Sequence, residues 1–126
     1  MPEYQIHLED KFGSLQLIDV VAEAAAVTDQ WVNQTLTTVN DSLVRLGVVE
    51  GEFHWHKHDA EDEFFYVVEG DLEIEVEGRA PFRLGPGQGV TIPRGVMHRP
   101  IAHARTAMLM VEPATITPVG DSADEQ

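Results

Sequence analysis

Short apolar segments separated by turn residues dominate the sequence between residues 32 and 113. Residues 42–49 and 72–77 alternate in character, which places successive side chains on opposite faces of a strand. Turn residues such as Asn40-Asp41 and Gly85-Pro86-Gly87 interrupt the pattern at close intervals. About eight to ten short strands with this spacing are typical of an antiparallel sandwich or barrel. The pattern therefore predicts an all-β domain over residues 32–113.

The last strands of this domain are predicted at 97–101 and 106–111, and the flanking segments differ in character. Residues 1–31 are predicted to form an N-terminal arm that is helical or extended and packs on the barrel or on a dimer partner. Asp19 to Ala26 is the best helical stretch, because it is rich in Ala and Val. Residues 114–126 are predicted to form a C-terminal tail that is loose from Gly120 onward.

The charge balance excludes several classes of partner. Asp and Glu number 22 against 8 Lys and Arg, which gives a formal net charge of −14. Nucleic acids and anionic membranes both select basic surfaces, so neither is an expected partner. The chain contains no Cys, which excludes disulfides and thiolate metal sites. The lack of Cys, and an N-terminus without a signal-peptide pattern, predict a cytoplasmic protein.

Histidine is concentrated in one part of the sequence, where its spacing indicates a metal site. His54, His56 and His58 are each two residues apart, so a regular strand would direct all three rings to one side. Glu63 follows after a connector of four residues that can turn the chain into a neighbouring strand. A borderline divalent ion prefers neutral imidazole nitrogen and anionic oxygen, and this segment offers both.

Two spaced motifs give the sequence a family resemblance. Gly51-x4-His56-x-His58-x4-Glu63-x6-Gly70 resembles the first cupin motif, and Gly87-x5-Pro93-x-Gly95-x2-His98 resembles the second. The first motif usually has five residues before its first His where this chain has four, and the second commonly has Asn where this chain has Ala102. The resemblance implies an antiparallel jelly-roll barrel, a homodimer, and one metal held by His56, His58, Glu63 and His98.

The residues around this site predict a mostly apolar pocket for a small molecule. Alternation along the strands places a set of side chains on the inner face: Phe65, Val67, Ile92, Val96, Met108 and Met110. His54 is interpreted as a lining residue, with a fifth ligand or a proton shuttle as alternatives. Arg94 and Arg99 could hold a substrate carboxylate or phosphate, or could instead pair with acidic residues such as Glu61 and Asp62.

The function predicted from these features is a metal-dependent enzyme acting on a small organic molecule. The resemblance implies a dioxygenase first and an isomerase second, with decarboxylase as a further type. A sugar-phosphate isomerase is disfavoured, because few basic residues lie near the motifs. The alternative is a metal-anchored ligand-binding or sensor module without catalysis, and a third hypothesis is a metal that serves stability alone. Three His and one carboxylate suit one divalent ion of Mn, Fe, Co, Ni, Cu or Zn.

Overall fold

The computed structural model describes residues 4–121, which contain eight strands and one short helix. In chain order they are β1 (Gln5–His7), α1 (Val20–Ala25), β2 (Trp31–Val39), β3 (Ser42–Glu52), β4 (Glu63–Glu69), β5 (Leu72–Val76), β6 (Arg79–Leu84), β7 (Gly89–Ile92) and β8 (His98–Pro113). The all-β prediction is confirmed. The sheet is mixed in one respect, since β1 pairs with β2 in parallel. Within residues 4–121 no helix has the length and apolar character needed to cross a bilayer.

The longest strand, β8, joins the parts of the sheet. It pairs antiparallel with β3 along most of its length, with β5 through residues 98–102, and with β4 through residues 107–111. The prediction of separate strands at 97–101 and 106–111 is therefore wrong. The intervening Ala-His-Ala-Arg sequence contains neither Gly nor Pro, so nothing ends the strand there. A register shift opposite β3, between Val49 and Gly51, accommodates the change of partners instead.

Alternation along β3 separates two apolar cores. Val49 belongs to the larger core, which fills the interior of the barrel together with Phe65, Met108 and Met110. Leu46 and Val48 belong to the second core on the outer face of the same strand. A strand that is buried on both faces must be covered on each side, and this requirement explains where the N-terminal arm lies.

The N-terminal arm covers the outer face with helix α1. The side chain of Asp19 caps the helix by accepting a hydrogen bond from the backbone N–H of Ala22 (3.0 Å). A helix of 6 residues is not stable alone, so its formation depends on packing. Ala24 is fully buried in the second core, and the guanidinium of Arg105 donates hydrogen bonds to the carbonyls of Ala24 (2.8 Å) and Val27 (2.7 Å). The arm is therefore extended where β1 pairs with β2 and helical where α1 covers the second core.

The turn between β4 and β5 requires glycine at position 70. Gly70 has a φ of +109°, and a Cβ there would lie 2.6 Å from the Cα of Thr106. The hydroxyl of Thr106 also accepts a hydrogen bond from the N–H of Asp71 (2.9 Å). The turn is thus held against the middle of β8, and little room remains for any side chain.

We expect Gly70→Ala to lower the free energy of unfolding by about 2–4 kcal/mol, because backbone strain adds to a clash with backbone atoms. Gly78→Ala is the matched control, since Gly78 has a φ of +84° and no atom lies within 4 Å of the place where its methyl group would be. The control should lose about 1 kcal/mol. Urea unfolding measures both, and equal losses would contradict the close contact at Gly70.

Candidate metal centre

Three segments of the barrel bring the predicted ligands together. Glu63 is the first residue of β4 and His98 is the first residue of β8. His56 lies in the loop before β4, where it exchanges two backbone hydrogen bonds with His98 (3.0 and 2.9 Å). Two residues further on, the carbonyl of His58 accepts a hydrogen bond from the N–H of Gly95 (2.8 Å). The loop is thus fastened to the segment that leads into β8.

The four side chains form a compact, buried cluster. Each of His56, His58, Glu63 and His98 offers one ligand atom, and these atoms all lie within 4.8 Å of one another. Nε2 of His58 is 3.3 Å from Oε1 of Glu63, and Nε2 of His98 is 3.6 Å from the same oxygen. All four residues are at most 8% exposed. A cluster of three imidazoles and one carboxylate with these separations could hold one metal ion.

Backbone carbonyls orient two of the imidazole rings. Nδ1 of His56 lies 3.0 Å from the carbonyl oxygen of His54, and Nδ1 of His98 lies 2.9 Å from that of Val96. Because a carbonyl can only accept, each Nδ1 carries the proton and donates it. The neutral ring then has its lone pair on Nε2. Both rings therefore hold a free lone pair in the form that metal coordination requires.

Several polar atoms of the cluster have no partner among the described residues. They are both ring nitrogens of His58, Oε1 of Glu63 and Nε2 of His98, and all are buried. A buried polar atom without a hydrogen bond costs about 1–3 kcal/mol, so such atoms are rare in folded proteins. These atoms belong to three of the four residues whose ligand atoms converge. The donor set therefore fits a bound cation.

The electrostatics of the cluster favour the ligand forms of these residues. Burial, with a smaller contribution from the neighbouring His98 ring, lowers the pKa of His56 to about 4. Burial acts to raise the pKa of Glu63, but the ring nitrogens of His58 and His98 beside its carboxylate outweigh burial and bring the pKa below its usual range. Near neutral pH the cluster therefore presents a neutral imidazole at His56 and an ionised carboxylate at Glu63.

A second buried carboxyl group, which the sequence patterns did not single out, lies behind Glu63. Burial, together with the charge of Glu63, raises the pKa of Glu112 to about 10. Arg45 lies on the far side, with its Nε 3.6 Å from Oε2 of Glu112, and it donates a hydrogen bond to the side chain of Asn33 (2.7 Å). Glu112 at neutral pH is thus protonated, and the two adjacent carboxyl groups carry one negative charge.

The alternation of residues along β3 and β8 could have revealed the buried pair of Arg45 and Glu112. Arg45 shares the inner face of β3 with Gly47 and Val49. Glu112 shares the inner face of β8 with Met108 and Met110. Charged residues at inward positions of two paired strands indicate a buried ionic group. Recognising them needed the assignment of the inner face, which the alternation alone left open.

A small cavity adjoins the cluster. Its volume is about 30 Å³, and it has an apolar wall that includes three of the predicted pocket residues, Phe65, Met108 and Met110. His56 and Glu63 provide polar atoms in the same wall. Val67 is fully buried in the interior core but does not line this cavity. A space of this size admits about two water-sized molecules.

Two predicted pocket residues line a different cleft. Ile92 and Val96 border a space of about 350 Å³ that is shared with Val76 and Phe82 and does not include any of the four candidate ligands. They therefore line a different space from the small cavity, although Ile92 belongs to the interior core and Val96 packs against it. The chain reverses at Pro93 and Gly95 between Ile92 and His98, so period two does not carry across the turn.

The two arginines near the second motif form surface ion pairs. Nε of Arg94 lies 3.7 Å from the Asp62 carboxylate, and the Arg94 side chain is well exposed. Nη2 of Arg99 lies 2.6 Å from Glu75, and its Nη1 lies 3.3 Å from Glu52. Neither guanidinium lines the cavity beside the cluster. Of the two interpretations of these residues, the ion pair is the one found, with Asp62 as the partner only for Arg94.

His54 does not lie inside the barrel. Its side chain is exposed, and its Nε2 lies 2.6 Å from the carbonyl oxygen of Val119, to which it donates a hydrogen bond. It lines an outer cleft rather than the cavity beside the cluster. Phe53 takes the inner position instead, where its ring contacts that of His56 at 5.2 Å between centroids. Residues 53–62 form a loop with one bridge, so the predicted strand periodicity does not apply.

Residues 114–121, here called the C-terminal strap, fold back over the cluster. Thr115 donates a hydrogen bond to Glu61 (2.9 Å), and Pro118 lines the small cavity. Gly120 is buried, and the N–H of Asp121 donates to the carbonyl of Lys57 (2.9 Å). Gly120 and Asp121, with which the predicted loose tail begins, thus contact the histidine loop, and residues 122–126 lie outside the described part. The contacts of Gly120 and Asp121 are remote in sequence, which explains why composition did not reveal them.

Solved structures of similar fold include cupins of known and unknown activity. A cupin-2 domain protein from Shewanella frigidimarina has a TM-score of 0.72 and 33% identity, and the match covers 77% of this chain and 94% of that one. Dimethylsulfoniopropionate lyase DddQ from Ruegeria pomeroyi is 37% identical over 59 residues, which are 47% of this chain and 29% of DddQ. These likenesses support the jelly-roll prediction for the fold.

Sequence comparison leads to the family. The protein YdbB from Bacillus subtilis, described as uncharacterised, is 37% identical over 94 residues, which span 75% of this chain and 83% of YdbB. The family described as "Cupin domain" matches residues 42–112, which contain both motifs and all four clustered side chains. This chain therefore belongs to the cupin domain family.

Proposed function

We propose that this protein holds one divalent transition metal through His56, His58, Glu63 and His98 and catalyses a reaction of a small organic molecule. The observation that carries the proposal is that the four residues offer ligand atoms within 4.8 Å of one another, while three of them, His58, Glu63 and His98, have buried polar atoms without a partner among the described residues. Mn, Fe, Co, Ni, Cu and Zn all suit three imidazoles and one carboxylate. When bound, such an ion would polarise a substrate oxygen, activate water or, if redox-active, support oxygen chemistry.

The protein's own residues support such a site by fixing the ligands and excluding water. The carbonyls of His54 and Val96 fix the rings of His56 and His98. Phe65 and the methionines on β8 give the adjacent cavity an apolar wall. A cavity for about two water-sized molecules also suits a diatomic ligand, which places dioxygenation first among the reactions considered, ahead of isomerisation and decarboxylation.

The ion pairs of the basic residues indicate which charge a substrate would carry. All eight Lys and Arg lie within the described range, and seven of them have a carboxylate within 4.0 Å. The eighth, Arg79, lies over the ring of Phe82 and donates to the carbonyl of Ala80. With a net charge of −14, the protein offers a phosphorylated substrate little attraction. We therefore infer a neutral or cationic small molecule.

One observation favours a second candidate function, a metal-anchored binding or sensor module without turnover. The cavity of about 30 Å³ beside the cluster does not admit an organic substrate in the conformation described. An enzyme would have to open this space, whereas a sensor of a diatomic ligand would not. Consumption of substrate or oxygen by the metal-loaded protein separates the two, because a sensor binds its ligand without net consumption.

We also infer that the chain forms a homodimer through its N-terminal arm. Four large apolar side chains on the arm are largely exposed, namely Leu8, Leu15, Leu17 and Val21. Neighbouring exposed apolar residues of this kind are covered in many proteins by a second subunit. Light scattering after size-exclusion chromatography should give twice the chain mass of 14.0 kDa, and the variant Leu17→Asp with Val21→Asp should shift it toward one chain.

The metal content of purified protein tests the proposed site directly. We expect about one metal ion per chain in the wild type and almost none in the double variant His56→Ala, His98→Ala, because two of four ligands are lost. The control is His7→Ala with His103→Ala, which removes the same number of imidazoles from exposed positions. Elemental analysis gives the stoichiometry. A wild type that stays metal-free with each candidate metal would overturn the proposal.

The stability of the metal-free protein should depend on His56 at acidic pH. Its pKa is about 4 in the folded protein against 6.5 for an ordinary histidine, so the unfolded chain binds an extra proton between these values. The resulting stability is fully present above about pH 6.5 and is lost as the pH falls through 4, which amounts to about 3 kcal/mol.

Urea unfolding at several pH values between 4 and 6.5 measures this slope, and His56→Gln should flatten it. His103→Gln is the control, since His103 is exposed and pairs with Glu73. Glu112 contributes with the opposite sign, because its raised pKa gives stability that is lost as the pH rises toward 10. A wild-type slope that survives in His56→Gln would show that another group is responsible.

A further inference from the structure

We propose that the C-terminal strap is a lid over the candidate metal centre and must move aside before an organic molecule can reach it. The proposal rests on the proposed function for its meaning, but the position and opening of the strap can be tested without a metal. The argument depends on the two spaces that the strap separates, on its contacts with the histidine segment, and on the glycine that permits those contacts.

The strap divides one potential pocket into two spaces. On its inner side, Pro118 lines the cavity of about 30 Å³ beside the cluster. On its outer side, Val119, Gly120 and Asp121 line a cleft of about 370 Å³. His56 lines both spaces and therefore stands in the partition together with the strap. The outer cleft is large enough for a small organic molecule, whereas the inner cavity is not. Movement of the strap would join them.

The strap contacts each of the three closely spaced histidines. Val119 accepts a hydrogen bond from Nε2 of His54 (2.6 Å). Gly120 packs against His56. Asp121 offers a carboxylate oxygen that lies, together with one of Glu61, within 4.8 Å of a ring nitrogen of His58. The closed strap therefore packs on the same loop that supplies two of the candidate ligands. A change in the position of this loop would change the contacts that hold the strap.

The way in which the strap is anchored allows it to open as a unit. It lies outside the sheet, and its backbone donates to other segments near its ends, from Ala114 to Asp41 (2.9 Å) and from Asp121 to Lys57 (2.9 Å). Between these points the backbone hydrogen bonds of Ile116 and Gly120 stay within the turn that they close. Side chains add hydrogen bonds to other segments, from Thr115 to Glu61 (2.9 Å), from His54 to Val119 (2.6 Å) and from the N–H of Asp59 to the carboxylate of Asp121 (2.6 Å). A segment outside the sheet that is held at such separate points can open at lower free energy than the strands beneath it.

Gly120 is the residue that permits closure. Its φ is +96°, and a Cβ at this position would lie 2.5 Å from Cβ of His56 and 3.0 Å from the ring atoms Cγ and Cδ2. Any side chain here would push the strap away from His56 or displace the ring. Gly87 supplies a matched control, because its φ of +82° imposes similar backbone strain while nothing lies within 4 Å of its Cβ position.

The experiment compares the full-length wild type with Gly120→Ala and Gly87→Ala. Hydrogen exchange followed by mass spectrometry reports the opening of residues 114–121 in metal-free protein. We expect exchange in this segment to be about tenfold faster in Gly120→Ala and unchanged in Gly87→Ala, as for a displaced local opening equilibrium. In Zn²⁺-loaded protein, extraction of the metal by a bulky chelator should accelerate by a similar factor in Gly120→Ala alone.

His54→Ala provides a second variant, since it removes the hydrogen bond to Val119 without touching a candidate ligand. It should accelerate hydrogen exchange of residues 114–121. If Gly120→Ala does not fold, His54→Ala tests the opening of the strap in its place. Wild-type exchange and extraction rates in the folded variants would overturn the lid. A wild type that binds no Zn²⁺ would defeat the proposed function instead, while faster exchange of the strap in Gly120→Ala would still support its closure over the loop.

Discussion

Strand β8 pairs with β3, β4 and β5, and the position of the candidate site depends on this arrangement. Its first residue, His98, exchanges backbone hydrogen bonds with His56 and so brings the histidine loop into the barrel. Near its other end, Glu112 reaches the carboxylate of Glu63 at the start of β4. The same strand therefore holds one candidate ligand and supports two others.

The interior of the barrel holds more charge than apolar packing alone can accommodate. Arg45 is fully buried, and its Nη atoms have no hydrogen-bond partner among the described residues. Burial lowers the pKa of this guanidinium, whereas Glu112 and Glu63 act to raise it. An arrangement of buried, partly satisfied charges is costly and persists where it serves a purpose. Here it places the positive charge of Arg45 beside Glu112, close enough for Glu63 to act on it as well.

The candidate metal ligands show what a sequence pattern can predict. The motif spacing grouped four residues, His56, His58, Glu63 and His98, and they do lie together. The spacing succeeds because it fixes the lengths of the loops and strands that separate these residues. His54 has the same spacing of two, yet it faces the strap outside the barrel. The difference arises because residues 53–62 form a loop, in which the twofold alternation of a strand is lost.

The sequence alone determined the all-β character, the position of most strands and the composition of the candidate metal cluster, because alternation, turn residues and motif spacing are local properties. The tertiary structure alone decided which face of β3 points inward, and with it the burial of Arg45 and Glu112. It also decided that residues 114–121 close over His56. These features depend on contacts between residues far apart in the chain, such as Gly120 with His56 and Thr115 with Glu61, and local patterns contain no record of such distances.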